Sequence, residues 1–273
     1  MPVDSTPTSA DQSTPEELDP RTRAFYLKAL DLLDRSAIPY LVGGAYSLAY
    51  HANIVRHTKD LDIFIQQQDL RRAMETFERE GYQTKLTFPH WLAKVFADDA
   101  FVDLIFSSGN GLCAVDNEWM SNAVQGEVLG RKANLCPAEE IIWSKSFVQE
   151  RERFDGADIA HLLLARGPNL DWKRLLRRFG PNRRILLGHL VFFGFIYPFA
   201  RSHIPSWVMD DLMNQIRNEP DDPEKICRGT SLSRQQYLPD VRQWGLIDGR
   251  LQPHGPMRPQ DVAHWTAAIG TIR

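Results

Sequence analysis

Cysteine is scarce: Cys113, Cys136 and Cys227 are the only three in 273 residues, and none forms a CxxC pair. That spacing excludes a disulfide framework and a cysteine-based structural zinc site, and it fits a reducing cytoplasm. A long apolar run is missing too. The most apolar stretch, ILLGHLVFFGFIYPFA at 185–200, is shorter than the roughly 20 residues a membrane helix needs. It also carries His189 and Pro198, and it reads as a buried core helix rather than a membrane segment. The opening residues, MPVDSTPTSADQSTPEELDP, lack the apolar core of a signal peptide. Charge of one sign is lacking as well: Lys plus Arg number 32 against 35 Asp plus Glu, a net −3. A broad electrostatic grip on nucleic acid is therefore not indicated. No internal repeat or long low-complexity tract is found.

What the chain does have is concentrated at residues 40–65, YLVGGAYSLAYHANIVRHTKDLDIFI. The order is a short apolar strand, a Gly43-Gly44 turn, a short helix at 45–51, a basic connector and a strand at 61–65 led by two aspartates. Asp60 and Asp62 alternate with Leu61 and Ile63, so on a strand both carboxylates share a face, about 7 Å apart. Two like charges on an apolar strand resist burial unless something positive sits between them. A divalent metal with oxygen ligands is the natural candidate. The glycines let the backbone approach a ligand, and the helix that follows offers free N–H groups to phosphate. Ser47 stands close enough to add a hydroxyl.

Asp103 supplies a third carboxylate, in the middle of FVDLIF, the most strand-like run in the chain. If its strand lies beside that of Asp60 and Asp62, the three converge and can hold two divalent ions. Asp103 is then also a candidate general base toward an acceptor. GG-x2-S, then DLD sixteen residues after the second glycine, then a lone Asp in an apolar strand, resembles the polymerase-β-like nucleotidyltransferase superfamily over roughly residues 25–160. The opening is especially similar to lincosamide- and aminoglycoside-modifying nucleotidyltransferases, and also to nucleotidyltransferase toxins. The resemblance implies a small mixed sheet with helices packed on it, Mg²⁺ (two ions, with Mn²⁺ as an alternative) at Asp60, Asp62 and Asp103, and triphosphate against Gly43, Gly44 and Ser47. It makes an NTP, with ATP the expected donor, and a hydroxyl acceptor the implied partners.

The remaining chain bounds the architecture. Residues 1–19 read as a disordered tail, 20–135 as the nucleotidyltransferase domain and 136–273 as a mostly helical half with an irregular wrap at 219–260, an α+β chain. Helices are expected at 20–36, 69–81, 137–154 (resuming past Gly156), 170–179, 185–200, 206–217 and 261–272, and strands at 38–42, 61–65, 91–96 and 101–106. The first helix starts at a Thr14 capping box or at Asp19-Pro20.

Several residues carry a functional and a bland reading together. Arg56, His57, Thr58 and Lys59 either touch triphosphate or form an exposed basic loop, and Lys145 either approaches the nucleotide or is a surface lysine. Asp103 has a salt bridge to Arg56 or Lys94 as its alternative. Asp155, Asp158 and His161 read as a hydrogen-bonded network joining the two halves before a second metal site. ERERF at 150–154 reads as a solvated helix face. The basic run 173–184 reads as a surface helix before an RNA contact. Trp91, Trp119 and Trp143 read as core. The small acceptor is preferred over RNA or protein, and a non-catalytic nucleotide-binding protein of the same fold is a further alternative.

Overall fold

The side chain of Asp19 accepts a hydrogen bond from the Thr22 N–H at 2.9 Å, and Pro20 occupies the first turn behind it. That cap starts α1 (Pro20–Arg35) at the second of the two expected positions. A computed structural model describes residues 18–56, 58 and 60–269. The Thr14 start, the tail before residue 18, His57 and Lys59 lie outside the described residues.

The strands β1 (Leu41–Val42), β2 (Leu61–Phe64), β3 (Gln83–Phe88), β4 (Leu92–Ala97), β5 (Ala100–Ile105), β6 (Val124–Val128) and β7 (Arg131–Leu135) form one mixed sheet. Their order is β3-β4-β5-β2-β1-β7-β6. The centre sets the site: β2 runs antiparallel to β1 and parallel to β5. Between β1 and β2 lies α2 (Gly44–Ala52), and after β2 comes α3 (Leu70–Arg79). Alternation along the strands sorts the two faces. Leu61, Ile63, Val102 and Leu104 pack with Phe25, Tyr26, Leu30 and Leu33 of α1 and Phe77 of α3. Asp62 and Asp103 are left for the opposite face.

That opposite face is covered by helices from the second half: α5 (Ala138–Lys145), α6 (Gly156–Arg166), α7 (Trp172–Phe179), α8 (Arg183–Ile196) and α9 (Ser206–Asn218), with α4 (Asn117–Ser121) preceding β6. One apolar cluster joins Leu41, Leu48 and Trp119 to Ile142, Leu162, Leu175, Leu186 and Phe193. The last stretch holds a two-strand pair, β8 (Ile226–Cys227) with β9 (Ile247–Asp248), then α10 (Leu238–Arg242) between them and α11 (Pro259–Ala267) at the end. The fold is α+β with a helical second half, as the sequence implies.

Three expectations are corrected. The helix expected over 137–154 stops at Lys145, and residues 146–155 form a loop. Its backbone finds partners elsewhere: the Gln149 N–H donates to Leu232 O at 3.1 Å and the Asp155 N–H to Val148 O at 3.2 Å. Gly156 therefore starts α6 instead of interrupting a longer helix. The 185–200 run is not a core helix on all sides. Leu186, His189, Leu190 and Phe193 are buried, while Phe195 and Phe199 are 84% and 79% exposed. Among the described residues no helix is long and apolar enough to cross a membrane. The sheet, finally, is larger than expected by β3, β6 and β7.

Candidate active site

Asp62 and Asp103 are direct register partners across the parallel β2–β5 pair, and Asp60 stands immediately before β2. One carboxylate oxygen from each of Asp60, Asp62 and Asp103 lies within 4.8 Å of the others. Each acid is held differently. Thr58 Oγ1 donates to Asp60 Oδ1 at 2.6 Å. Lys94 Nζ donates to Asp103 Oδ1 at 2.6 Å, one of the two salt bridges weighed for that residue, while its ammonium sits 3.8 Å from the centre of the Phe101 ring.

The electrostatics match the crowding. Burial, then the charges of Asp60 and Asp103, push the Asp62 carboxyl from 3.8 up to about 7, against the pull of Lys145 and Arg153. Burial also raises Asp103, partly offset by Lys94. Three carboxylates crowded this closely form an oxygen-only donor set suited to a hard divalent cation.

Gly44 explains why the glycine turn and the aspartate strand belong together. Its φ is +54°, and a Cβ at this position would overlap Asp62 Oδ2. No other residue tolerates both the backbone and the contact. A Cβ on Gly43 would meet the Phe64 ring, and its N–H donates to Asp62 O at 2.9 Å. Gly44 and Ala45, at the start of α2, line a cavity of about 510 Å³ together with Asp60, Asp62 and Asp103.

Ser47 does not reach that cavity. It is fully buried, its Oγ donates to Val42 O at 2.6 Å and accepts from the Cys136 N–H at 3.2 Å, and so it ties α2 to β1 and β7's end. Its hydroxyl is committed inside the fold. Lys145 lines the cavity, with Nζ at 2.7 Å from Asp155 Oδ2 and 2.9 Å from Asp158 Oδ2. It is mostly buried, not a surface lysine. Arg56 meets Asp158 Oδ1 at 2.5 Å and Arg153 meets Asp155 Oδ1 at 3.2 Å, so the expected Asp155–Asp158 network exists as a chain of ion pairs. His161 is not part of those pairs.

Two contributors were not visible in the sequence. Arg153 belongs to the alternating-charge stretch read as a solvated helix face, yet it lines the cavity. Burial opposes its charge, but Asp155, Asp62 and Asp60 outweigh that and hold the guanidinium above the usual arginine value. Thr230, Ser231, Leu232, Arg234 and Trp265 reach the same cavity from the far end of the chain. The only sequence signal for them was the Pro- and Gly-rich irregularity of the wrap.

Four arginines of the basic run at 173–184 pair with acids from elsewhere in the chain. Arg174 Nη2 meets Glu139 at 2.5 Å, Arg178 meets Asp116 at 2.6 Å and Glu140 at 3.2 Å, Arg177 meets Glu118 at 2.7 Å, and Arg184 meets Glu219 at 2.8 Å. Trp119 and Trp143 are core residues, whereas Trp91 borders the cavity.

A family described as uncharacterised nucleotidyltransferase matches residues 25–181. No curated protein matches the chain. Among solved structures, the antibiotic-resistance factor ANT(2'')-Ia is similar at 18% identity over 63% of this chain and 97% of the other, with a TM-score of 0.45. The lincosamide antibiotic adenylyltransferase LnuA is similar at 17% identity over 51% and 94%, with a TM-score of 0.37. A putative nucleotidyltransferase from Thermotoga maritima is similar at 17% identity over 44% and 80%, with a TM-score of 0.35.

Proposed function

The chain belongs to the family of uncharacterised nucleotidyltransferases, and on that footing we propose that it transfers an NMP from an NTP to a hydroxyl of a small acceptor. Pyrophosphate is the second product, ATP the expected donor, and Mg²⁺ the ion held by Asp60, Asp62 and Asp103. The observation that carries this reading is the meeting of three carboxylates, within 4.8 Å, at a cavity that also contains the start of α2. A divalent ion held by these three acids would offset the triphosphate charge and lower the pKa of the attacking hydroxyl.

The chain's own groups divide the work. Gly44 and the first-turn N–H groups of α2 receive the phosphates, helped by the helix dipole. Arg153, and behind it Lys145 and Arg56, supply positive charge on the same wall. Asp103 accepts the proton of the acceptor hydroxyl as its oxygen bonds to the α-phosphorus. The bond from that phosphorus to the bridging oxygen breaks, and its electron pair leaves with pyrophosphate.

The small acceptor is favoured over RNA because Arg174, Arg177, Arg178 and Arg184 of the basic run are held by Glu118, Glu139, Glu140, Asp116 and Glu219. Incubating α-labelled NTP and Mg²⁺ with metabolite, RNA and protein fractions tests the reading. Label and pyrophosphate should appear with the metabolite fraction and vanish in Asp103→Asn. Transfer that survives Asp103→Asn would remove the triad from the mechanism.

A further inference from the structure

We propose that the C-terminal segment, outside the family-matched residues, builds the acceptor subsite, and that the subsite takes an uncharged polyhydroxyl ring, a neutral sugar or cyclitol. This rests on the reading above and names its acceptor class.

The cavity does not end at the carboxylates. From Asp103 it follows β5 through Ile105 to Ser107, roughly 13 Å along an extended chain, and then meets Ser108, Gly109 and Asn110. Across from that turn stand Thr230, Ser231, Leu232 and Trp265. The segment is fastened there. Asn110 Nδ2 donates to Ser231 O at 2.9 Å, Ser233 Oγ to Glu150 Oε2 at 2.7 Å and Arg234 Nε to Glu150 Oε1 at 2.8 Å. Arg234 also lies 3.9 Å from the centre of the Trp265 ring. Gly109 has no side chain where Trp265 packs, since a Cβ would press on the indole at 2.8 Å. Trp265 meets Trp91 edge-on at 5.3 Å and Phe88 at 4.7 Å.

Two residues lining this region each carry a buried polar atom without a partner among the described residues. Ser107 is 6% exposed, and among the described residues its Oγ has no hydrogen-bond partner; the buried Trp91 Nε1 has none either. Buried polar groups of this kind are costly unless a ligand completes them. A hydroxyl and an indole N–H suit ligand hydroxyls, and Trp91, Trp265, Leu232 and Ile105 offer apolar surface to the C–H face of a ring.

Charge decides between acceptor classes. Among the described residues, every charged side chain lining the cavity outside the triad is paired: Arg56 and Lys145 with Asp158, Lys145 and Arg153 with Asp155, Arg234 with Glu150. A polycation would find no uncommitted carboxylate beyond the three proposed to hold metal. A strongly anionic acceptor would have to break existing pairs. Uncharged hydroxyls need neither.

The test is transfer of label from α-labelled ATP, with Mg²⁺, to three panels: neutral mono- and disaccharides with cyclitols, aminoglycosides, and RNA. Label is expected in the neutral panel. Ser107→Ala and Trp265→Phe should each raise KM for the labelled compound about tenfold, the size of one lost hydrogen bond or ring contact, while changing kcat less. Both variants should bind Mn²⁺-ATP as the parent does, which shows that the fold and nucleotide site persist. Label in the aminoglycoside or RNA panel, or in no panel, overturns the inference. So does an unchanged KM in both variants. Retained Mn²⁺-ATP binding in any of those cases leaves the nucleotidyltransferase reading standing; its loss in the parent protein removes that reading as well.

Discussion

Replacing Asp62 with Asn should make the metal-free protein more stable at alkaline pH while ending its activity. In the folded chain the Asp62 carboxyl sits at about 7 instead of 3.8, because burial and the neighbouring Asp60 and Asp103 oppose its charge. Below the unfolded value both states are protonated and nothing is lost. Between the two values the folded state binds more protons than the unfolded one, so stability falls as pH rises, and it levels off above the folded value. Each pKa unit corresponds to roughly 1.4 kcal/mol, which makes about 4 kcal/mol the upper bound. The side chain keeps some contact with solvent, and screening reduces the expected loss to about 2 kcal/mol. Asn removes the charge and with it that loss. In EDTA, urea unfolding of parent and variant should therefore diverge from pH 5 to pH 8, the variant ending about 2 kcal/mol more stable. Burial likewise lifts Glu140 to about 7, so the difference between the two proteins, not the parent curve alone, is the quantity to read. Mg²⁺ should then stabilise the parent more than the variant. A difference that stays flat with pH, or a variant weaker at pH 8, would refute the reasoning.

Other predictions follow from the same geometry. Gly44→Ala forces a left-handed backbone on a side chain that also collides with Asp62, so it should cost about 1–3 kcal/mol in urea unfolding and lower kcat/KM by at least about a hundredfold, roughly the effect of misplacing a catalytic carboxylate. Arg153→Ala should raise the KM for NTP while leaving overall stability within about 1 kcal/mol, because the Arg153 side chain is largely exposed and buried Asp155 keeps Lys145 as its cation. Arg174→Ala leaves Glu139 buried without its cation and Glu140 with Arg178 alone, and should cost about 3–5 kcal/mol by the same unfolding assay. The double change Arg177→Ala with Arg184→Ala removes only exposed pairs and should leave small-acceptor transfer rates unaltered; a selective loss of RNA labelling would favour an RNA acceptor.

The centre of this fold was legible because its signals are local. The DxD alternation puts two acids on one strand face, and the apolar flanks of Asp103 give the period of a buried strand. That the Asp103 strand lies beside that of Asp60 and Asp62 was a condition of the reading, and the β2–β5 pairing meets it; its parallel direction, with Asp62 opposite Asp103, comes from the fold. Gly44 was singled out for its missing Cβ, but its contact with Asp62 required the fold. Ser47 shows the limit: spacing put a hydroxyl near the turn, while direction turned it inward to Val42 O.

Elsewhere the sequence signal was too weak or too distant. The β6–β7 hairpin turns through Leu129 and Gly130, both at positive φ. A leucine there is unfavourable, so no turn signature was present. The helix expected over 137–154 failed because Lys145, Arg153 and Asp155 pair across the break, a contact that helical periodicity cannot report. The apolar 185–200 run was read from composition alone, and composition does not distinguish one buried face from two. The residues at 230–234 and Trp265 enter the cavity from more than a hundred positions beyond Asp103, through contacts no local pattern encodes.

The most direct test of the three-carboxylate centre is a Mn²⁺ titration followed by electron paramagnetic resonance, with a non-hydrolysable NTP present. Wild-type protein should show tightly bound Mn²⁺ that competes with Mg²⁺, and both Asp62→Asn and Asp103→Asn should weaken it by at least about tenfold, one charged ligand's contribution. Mn²⁺ bound equally well by all three proteins would contradict the account.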